Sequence, residues 1–218
     1  MVEEFFSNLI GGIVGAFIVF EGGEGVGKST QVKELSLRLT GAGHNVLLTY
    51  EPGGTPLGEA LRQLVKGEDG VSPLSELFLM LAARAQLVTQ VIGPALARGD
   101  VVVCDRFAPS TIAYQGWGRG LDVDMLDSLN QKATGGLQPD LVVLLDAPVE
   151  VAMARKPQGV RDNFEQEDVT FHQRVRDGYL SQAKHDRDRW LVVDATQPPE
   201  RVAEVVWERV SALLEIER

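Results

Sequence analysis

One stretch constrains the fold more than any other. Residues 17 to 30 read Phe-Ile-Val-Phe-Glu-Gly-Gly-Glu-Gly-Val-Gly-Lys-Ser-Thr. Phe17 to Phe20 is short, apolar and β-prone, as a strand buried on both faces of a parallel sheet must be. Gly22-x-x-x-x-Gly27-Lys28-Ser29 follows, which satisfies the Walker A pattern. From Gln31 to Leu39, apolar residues at Val32, Leu35 and Leu39 have helical spacing. Strand, glycine loop and helix thus come in the order that phosphate binding needs. The glycines let the backbone curl so that N–H groups point inward at an anion, and the helix N-terminus adds partial positive charge. Gly22, Gly23, Glu24, Gly25, Val26, Gly27, Lys28, Ser29 and Thr30 are therefore the candidate triphosphate site. Lys28 would reach the β- and γ-phosphates, and the Ser29 hydroxyl would face Mg²⁺.

The rest of the chain alternates strand and helix. Val46–Tyr50, Val101–Cys104, Leu141–Leu145 and Trp190–Val193 are the further β-prone runs. Between them the spacing predicts helices over 57–65, from Pro73 to about Arg98 with a bend near Gly93-Pro94, from Ser110 to Tyr114, and over 123–133, 149–155, 169–184 and 199–214. Gln115 to Gly120, with three glycines, predicts a loop that covers a bound base. The fold class is α/β: a P-loop NTPase fold with a five-stranded parallel sheet, helices on both faces and a short lid. With 218 residues and no linker-like interruption, residues 16–218 read as one domain with a lid at about 155–165. Residues 1–15 read as an extension with little order. Leu9 to Phe20 is apolar, but it is short for a membrane span and no Lys or Arg precedes it.

Ligands of such a sheet sit at the C-terminal strand ends. There the sequence places the P-loop, Glu51–Thr55, Asp105-Arg106 and Asp146. Asp105 closes an apolar strand, as an acid holding Mg²⁺ through water does, whereas Asp146 reads as structural. Arg62, Arg84 and Arg106 flank the same edge and suit a second phosphate, which guanidinium binds bidentately. Arg155, Lys156 and Arg161 surround the lid, where a mobile arginine can neutralise charge during phosphoryl transfer. The net charge is −10, which disfavours non-specific nucleic-acid or anionic-membrane binding but leaves room for a locally basic site. Cys104 is the only cysteine, so neither an internal disulfide nor a cysteine metal cluster is possible, in keeping with a cytoplasmic location. The guanine-reading Asn-Lys-x-Asp and the Leu-Ser-Gly-Gly-Gln signature are both absent.

Taken together the motifs resemble bacterial thymidylate kinases over nearly the whole chain. The matching stretches are Phe20 to Thr30, Glu51-Pro52-Gly53-Gly54-Thr55-Pro56-Leu57-Gly58, Ala82-Ala83-Arg84-Ala85-Gln86, Asp105-Arg106-Phe107, Ser110-Thr111, and Tyr114-Gln115-Gly116 with Gly118-Arg119-Gly120. Pro139-Asp140-Leu141 and Asp194-Ala195-Thr196 match as well. The resemblance implies ATP as donor, dTMP as acceptor, Mg²⁺ as cofactor and a homodimer. It implies that Glu24 lies near the acceptor sugar, that Arg62 and Arg106 grip the dTMP phosphate, and that Arg84 meets the thymine edge. Ser110, Thr111, Tyr114 and Gln115 would wall the nucleoside. Two positions depart from the family pattern. Met80 stands where a phenylalanine usually stacks on thymine, with Phe78 two residues earlier. Asn163 stands where the lid usually carries an arginine, leaving Arg155 and Arg161 as replacements. The alternatives are a kinase for another nucleoside monophosphate, or a P-loop ATPase acting as a nucleotide-dependent interaction switch.

Overall fold

The computed structural model describes residues 15–67, 70–155, 164 and 166–216. Five parallel strands lie in the order β2-β3-β1-β4-β5. They are β1 (Phe17–Glu21), β2 (Val46–Tyr50), β3 (Val101–Asp105), β4 (Leu141–Asp146) and β5 (Trp190–Asp194). β1 is central: Phe17 lies opposite Val102 of β3, and Ile18 opposite Leu141 of β4. Its alternation divides the core. Ile18 and Phe20 face Val32, Leu35 and Leu39 of α1 (Lys28–Gly41) and Val202, Val206 and Val210 of α9 (Pro199–Leu213). Phe17 and Val19 face the opposite layer, against Leu87, Val88, Ile92 and Leu96. A strand covered on both sides needs a continuous apolar run, which is why β1 shows no polar alternation until Glu21.

α1 begins at Lys28, three residues before the apolar spacing announced it, with Gly27 left-handed at its N-cap and no side chain capping it. Lys28, Ser29 and Thr30 therefore form the first turn, whose backbone donors are what an anion would engage. α2 (Pro56–Lys66) is capped by Thr55, whose hydroxyl accepts from Gly58 N at 3.0 Å. α3 (Pro73–Leu87) continues through a π-helical turn, Val88–Ile92, into α4 (Gly93–Ala97). The expected bend is this turn: Pro94 offers no N–H to the preceding turn, and the hydrogen-bond register widens before it. The run Pro73–Ala97 is long and apolar enough to cross a membrane by length and composition, with a hydropathy of 1.3. Its Leu87, Val88, Ile92, Ala95 and Leu96 are fully buried against β1 and β3.

One sequence expectation is overturned here. Gln115 to Gly118 is not a loop. After α5 (Ala108–Thr111) the chain stays helical in a wide π-type coil, Ile112–Gly118. The glycines argued against a helix, but each admits a neighbour. A Cβ on Gly118 would lie 2.6 Å from the Phe171 ring, and one on Gly178 would lie 2.7 Å from the Trp117 ring. Phe171 and Gly178 belong to α8 (Val169–His185), so the two elements dock reciprocally, ring into glycine notch both ways. Tertiary packing outweighs the low helix propensity of glycine. α6 (Val123–Thr134) and α7 (Val149–Ala154) complete the helices.

Candidate active site

The C-terminal strand ends open into a cavity of about 790 Å³. Lys28 and Ser29 line it on the P-loop side, and Met80, Thr111, Tyr114 and Gln115 on the other. Six cationic side chains (Lys28, Lys33, Arg62, Lys66, Arg84, Arg106) and three acidic ones (Glu24, Glu51, Asp105) face it. A chain of net charge −10 thus keeps a basic surface where anions would bind.

The P-loop shape is built from backbone. Gly22 and Gly27 have φ of 137° and 94°, and a Cβ on Gly22 would come within 2.5 Å of the Leu145 carbonyl oxygen. The Lys28 ammonium donates to the carbonyls of Gly22 and Gly23 at 3.1 and 2.8 Å. Burial, then the nearby Arg106 charge, pulls its pKa down to about 8. The Ser29 hydroxyl donates to Asp105 Oδ2 at 3.1 Å, so the two Mg²⁺-ligand candidates are side by side. Both offer hard oxygens, which fits an ion that keeps most of its waters. Among the described residues no group of three His, Cys, Asp or Glu is placed to hold a metal by itself.

Arg106 follows β3 in a left-handed conformation, φ 73°. A non-glycine residue there needs support. Its N–H donates to the Phe20 carbonyl, and the next N–H, of Phe107, donates to Glu21 Oε1, both at 2.9 Å. Its guanidinium donates to Glu24 Oε1 at 2.5 Å, to Tyr114 Oη at 3.1 Å and to Tyr179 Oη at 3.1 Å. Arg62 lines the same cavity, donating to the Pro52 carbonyl at 2.8 Å and lying 5.3 Å over the Tyr50 ring.

Arg84 differs from its expected role. It lines the cavity, yet all five of its N–H groups are engaged. Nε reaches both oxygens of Glu51, Nη1 reaches Thr111 Oγ1 and Asn130 Oδ1, and Nη2 reaches Glu51 Oε2 and the Phe107 carbonyl. At 2 % exposure it is a strut under the pocket, without a spare donor for a thymine edge. Gln115 is also tied back, its amide donating to Glu76 at 2.7 Å. Met80 lines the cavity, but Phe78 does not and is 54 % exposed. Two positions along a helix turn the side chain to the far face, so Phe78 is no substitute for the missing ring. Arg155 donates from its guanidinium to the Ala195 carbonyl at 2.7 Å and is not among the residues that line the cavity. α7 ends at Ala154, which sends this side chain toward the end of β5. Arg161, Asn163 and Lys156 lie outside the described residues. Asp146, read as structural from the sequence, is gripped by Arg176 at 2.7 and 2.9 Å.

Four residues around the site escaped the sequence reading, Glu21, Glu76, Asn130 and Tyr179, and Glu51 was read only as the start of a strand-end loop. An acid ending the apolar β1 run was a visible signal for Glu21; Asn130 and Tyr179 carried none. Burial pushes the Glu51 carboxyl up to about 7 against the pull of Arg84. It also raises Glu21, and it raises the Cys104 thiol well above its usual range.

The family model for thymidylate kinase matches residues 20–206. The chain belongs to the thymidylate kinase family. A thymidylate kinase of Thermomicrobium roseum is 50% identical over 200 residues, covering 91% of this chain and 95% of that protein. One from Deinococcus radiodurans is 48% identical over 199 residues, covering 90% and 97%. The crystal structure of thymidylate kinase from Ehrlichia chaffeensis matches with a TM-score of 0.75 and 35% identity, covering 90% of this chain and 98% of that one.

Proposed function

We propose that this chain transfers the γ-phosphate of ATP to dTMP, giving dTDP for dTTP supply. The observation that carries the reading is that one cavity is lined both by Lys28 and Ser29 of the P-loop and by Arg62, Arg106, Met80 and Phe164. A dTMP phosphate oxygen is already anionic at neutral pH, so its in-line attack needs no general base. Catalysis then rests on positioning and charge neutralisation. Gly22 to Thr30, with Lys28, hold the ATP phosphates. Ser29 and Asp105 would hold Mg²⁺, which would supply charge neutralisation at the phosphate oxygens. Arg62 and Arg106 take the acceptor phosphate. Glu24 anchors Arg106 and Tyr114 where the sugar enters, and Ser110, Thr111, Tyr114 and Gln115 form the nucleoside wall. Met80 packs its polarisable sulfur on the base. Residues 16–218 act as one kinase domain, with a lid at about 155–165 in which Arg161 is the candidate for the arginine lacking at Asn163.

ADP release measured with dTMP, dUMP, dCMP and UMP tests the reading. We expect dTMP to be preferred. Equal rates on dUMP and dTMP would contradict a thymine-selective pocket, and turnover independent of any acceptor would favour the ATPase switch. The protein is placed in the cytoplasm, free of nucleic acid and membrane, as a homodimer. Supporting the dimer, α2 and α3 expose Leu64, Leu74 and Phe78 at 58%, 46% and 54%. Light scattering should give twice the chain mass; a monomer at micromolar concentration would remove that part.

A further inference from the structure

Tyr179 lies on α8 and is 1% exposed. Its hydroxyl meets three groups of the acceptor side. It donates to Glu21 Oε2 at 2.8 Å, accepts from Arg106 Nη1 at 3.1 Å and lies 2.8 Å from Ser110 Oγ. Ser110 Oγ in turn donates to the same Glu21 oxygen at 2.7 Å. Three oxygens from β1, α5 and α8 thus close a triangle under one nitrogen of Arg106. The other carboxylate oxygen of Glu21 accepts from Phe107 N and clamps the left-handed turn from the backbone side. Glu21 fixes where Arg106 leaves the chain, and Tyr179 fixes where its guanidinium points. The reciprocal docking of Trp117 on Gly178 and Phe171 on Gly118 holds the ring in place.

We propose that Tyr179 is a positioning residue for Arg106, aiming that guanidinium at the acceptor phosphate from α8. The proposal rests on the reading that Arg106 meets that phosphate. Without the hydroxyl, Nη2 keeps its Glu24 and Tyr114 contacts and Nη1 keeps the Gly22 carbonyl at 3.1 Å and Ser110 Oγ at 3.4 Å, but the arginine loses its tie to α8. A guanidinium shifted toward those remaining partners misplaces charge at a phosphate, which lowers rate as well as affinity.

The test is a double-mutant cycle in the full chain, Tyr179→Phe with Arg106→Ala, read as the equilibrium dissociation constants of dTMP and of ATP and as kcat. Y179F keeps the ring and its edge contact to Tyr114 at 6.3 Å. We expect Y179F to weaken dTMP and lower kcat, each by about tenfold, with ATP affinity unchanged. In the R106A background Y179F should have no further effect on dTMP affinity, because its target is gone. An equal loss in both backgrounds, or none in either, would overturn the proposal. If R106A itself leaves dTMP affinity unchanged, the reading of Arg106 fails instead. Should Y179F not fold, Tyr179→Leu, which also removes the hydroxyl, carries the same cycle: a loss only where Arg106 is present supports the proposal, and an equal loss in both backgrounds overturns it.

Discussion

Lys28→Met should lower kcat by about 10²–10³-fold in an ADP-release assay, the scale for losing one preorganised donor to developing charge. Methionine keeps the length and loses the ammonium that here donates to Gly22 and Gly23. On the proposed reading, a bound phosphate would take the place of those two carbonyls as partner of the ammonium. A loss under tenfold would remove Lys28 from the transfer step. The same ammonium gives a pH signature. Burial holds its pKa at about 8 without ligand, against an ordinary value of 10.5. Between those values the unfolded chain keeps a proton that the folded one has released, so this group makes stability rise with pH across that window. Bound phosphate reverses the balance by favouring the charged form. At pH 9, ATP binding should therefore take up protons, which calorimetry in two buffers of different ionisation enthalpy would detect. Proton release would contradict the assignment.

Arg84→Ala should cost about 3–5 kcal/mol of stability, since it strands a buried carboxylate partner. For a chain of this size that corresponds to a fall in Tm of about 10 °C. Glu51, Thr111, Asn130 and the Phe107 carbonyl all lose a donor at once. Lysine should rescue little, because an ammonium has three donors and no planar fork. The pH dependence has a definite sign. Glu51 can escape by taking up a proton, and its carboxyl is already pushed from 4.5 up to about 7 in the intact pair. Between the unfolded and folded values the folded chain binds the extra proton, so stability falls as pH rises across that window. Removing the Arg84 charge raises the folded value further and widens the window upward. The variant should therefore be more damaged at pH 8.5 than at pH 6. Thermal unfolding at the two pH values measures this, and a loss under about 1 kcal/mol at both would show that the strut is not structural.

How far the sequence carried follows from where each signal lives. The strands and the P-loop were legible because burial on two faces and phosphate cradling each demand a local pattern, and local patterns survive in one dimension. Glu51-Pro52-Gly53-Gly54-Thr55 and Tyr114-Gln115-Gly116 were legible as motifs, but their internal partners were not. Arg84 read as a ligand contact because it flanks the same sheet edge as Arg62 and Arg106 and because the family resemblance puts an arginine at the thymine edge. Its five N–H groups reach Glu51, Phe107, Thr111 and Asn130, up to 46 residues away, and nothing in the spacing announces that closure. The same holds for Arg155, whose direction is set by where α7 stops. Gln115 to Gly118 failed for a third reason. Glycine was counted as a helix breaker, when here it is the space that a ring on another helix needs.

That last contact has a bearing on how the chain can drift. Trp117 with Gly178, and Phe171 with Gly118, are two lock-and-key pairs between the acceptor wall and α8. In each, the sum of two side-chain sizes is fixed by one backbone separation. A larger residue on one side is tolerable only with a smaller one opposite, so these four positions are free to change in pairs and not singly. Relatives that swap which side holds the ring would keep the wall, and with it the anchorage of Tyr179, while sharing none of the four residues.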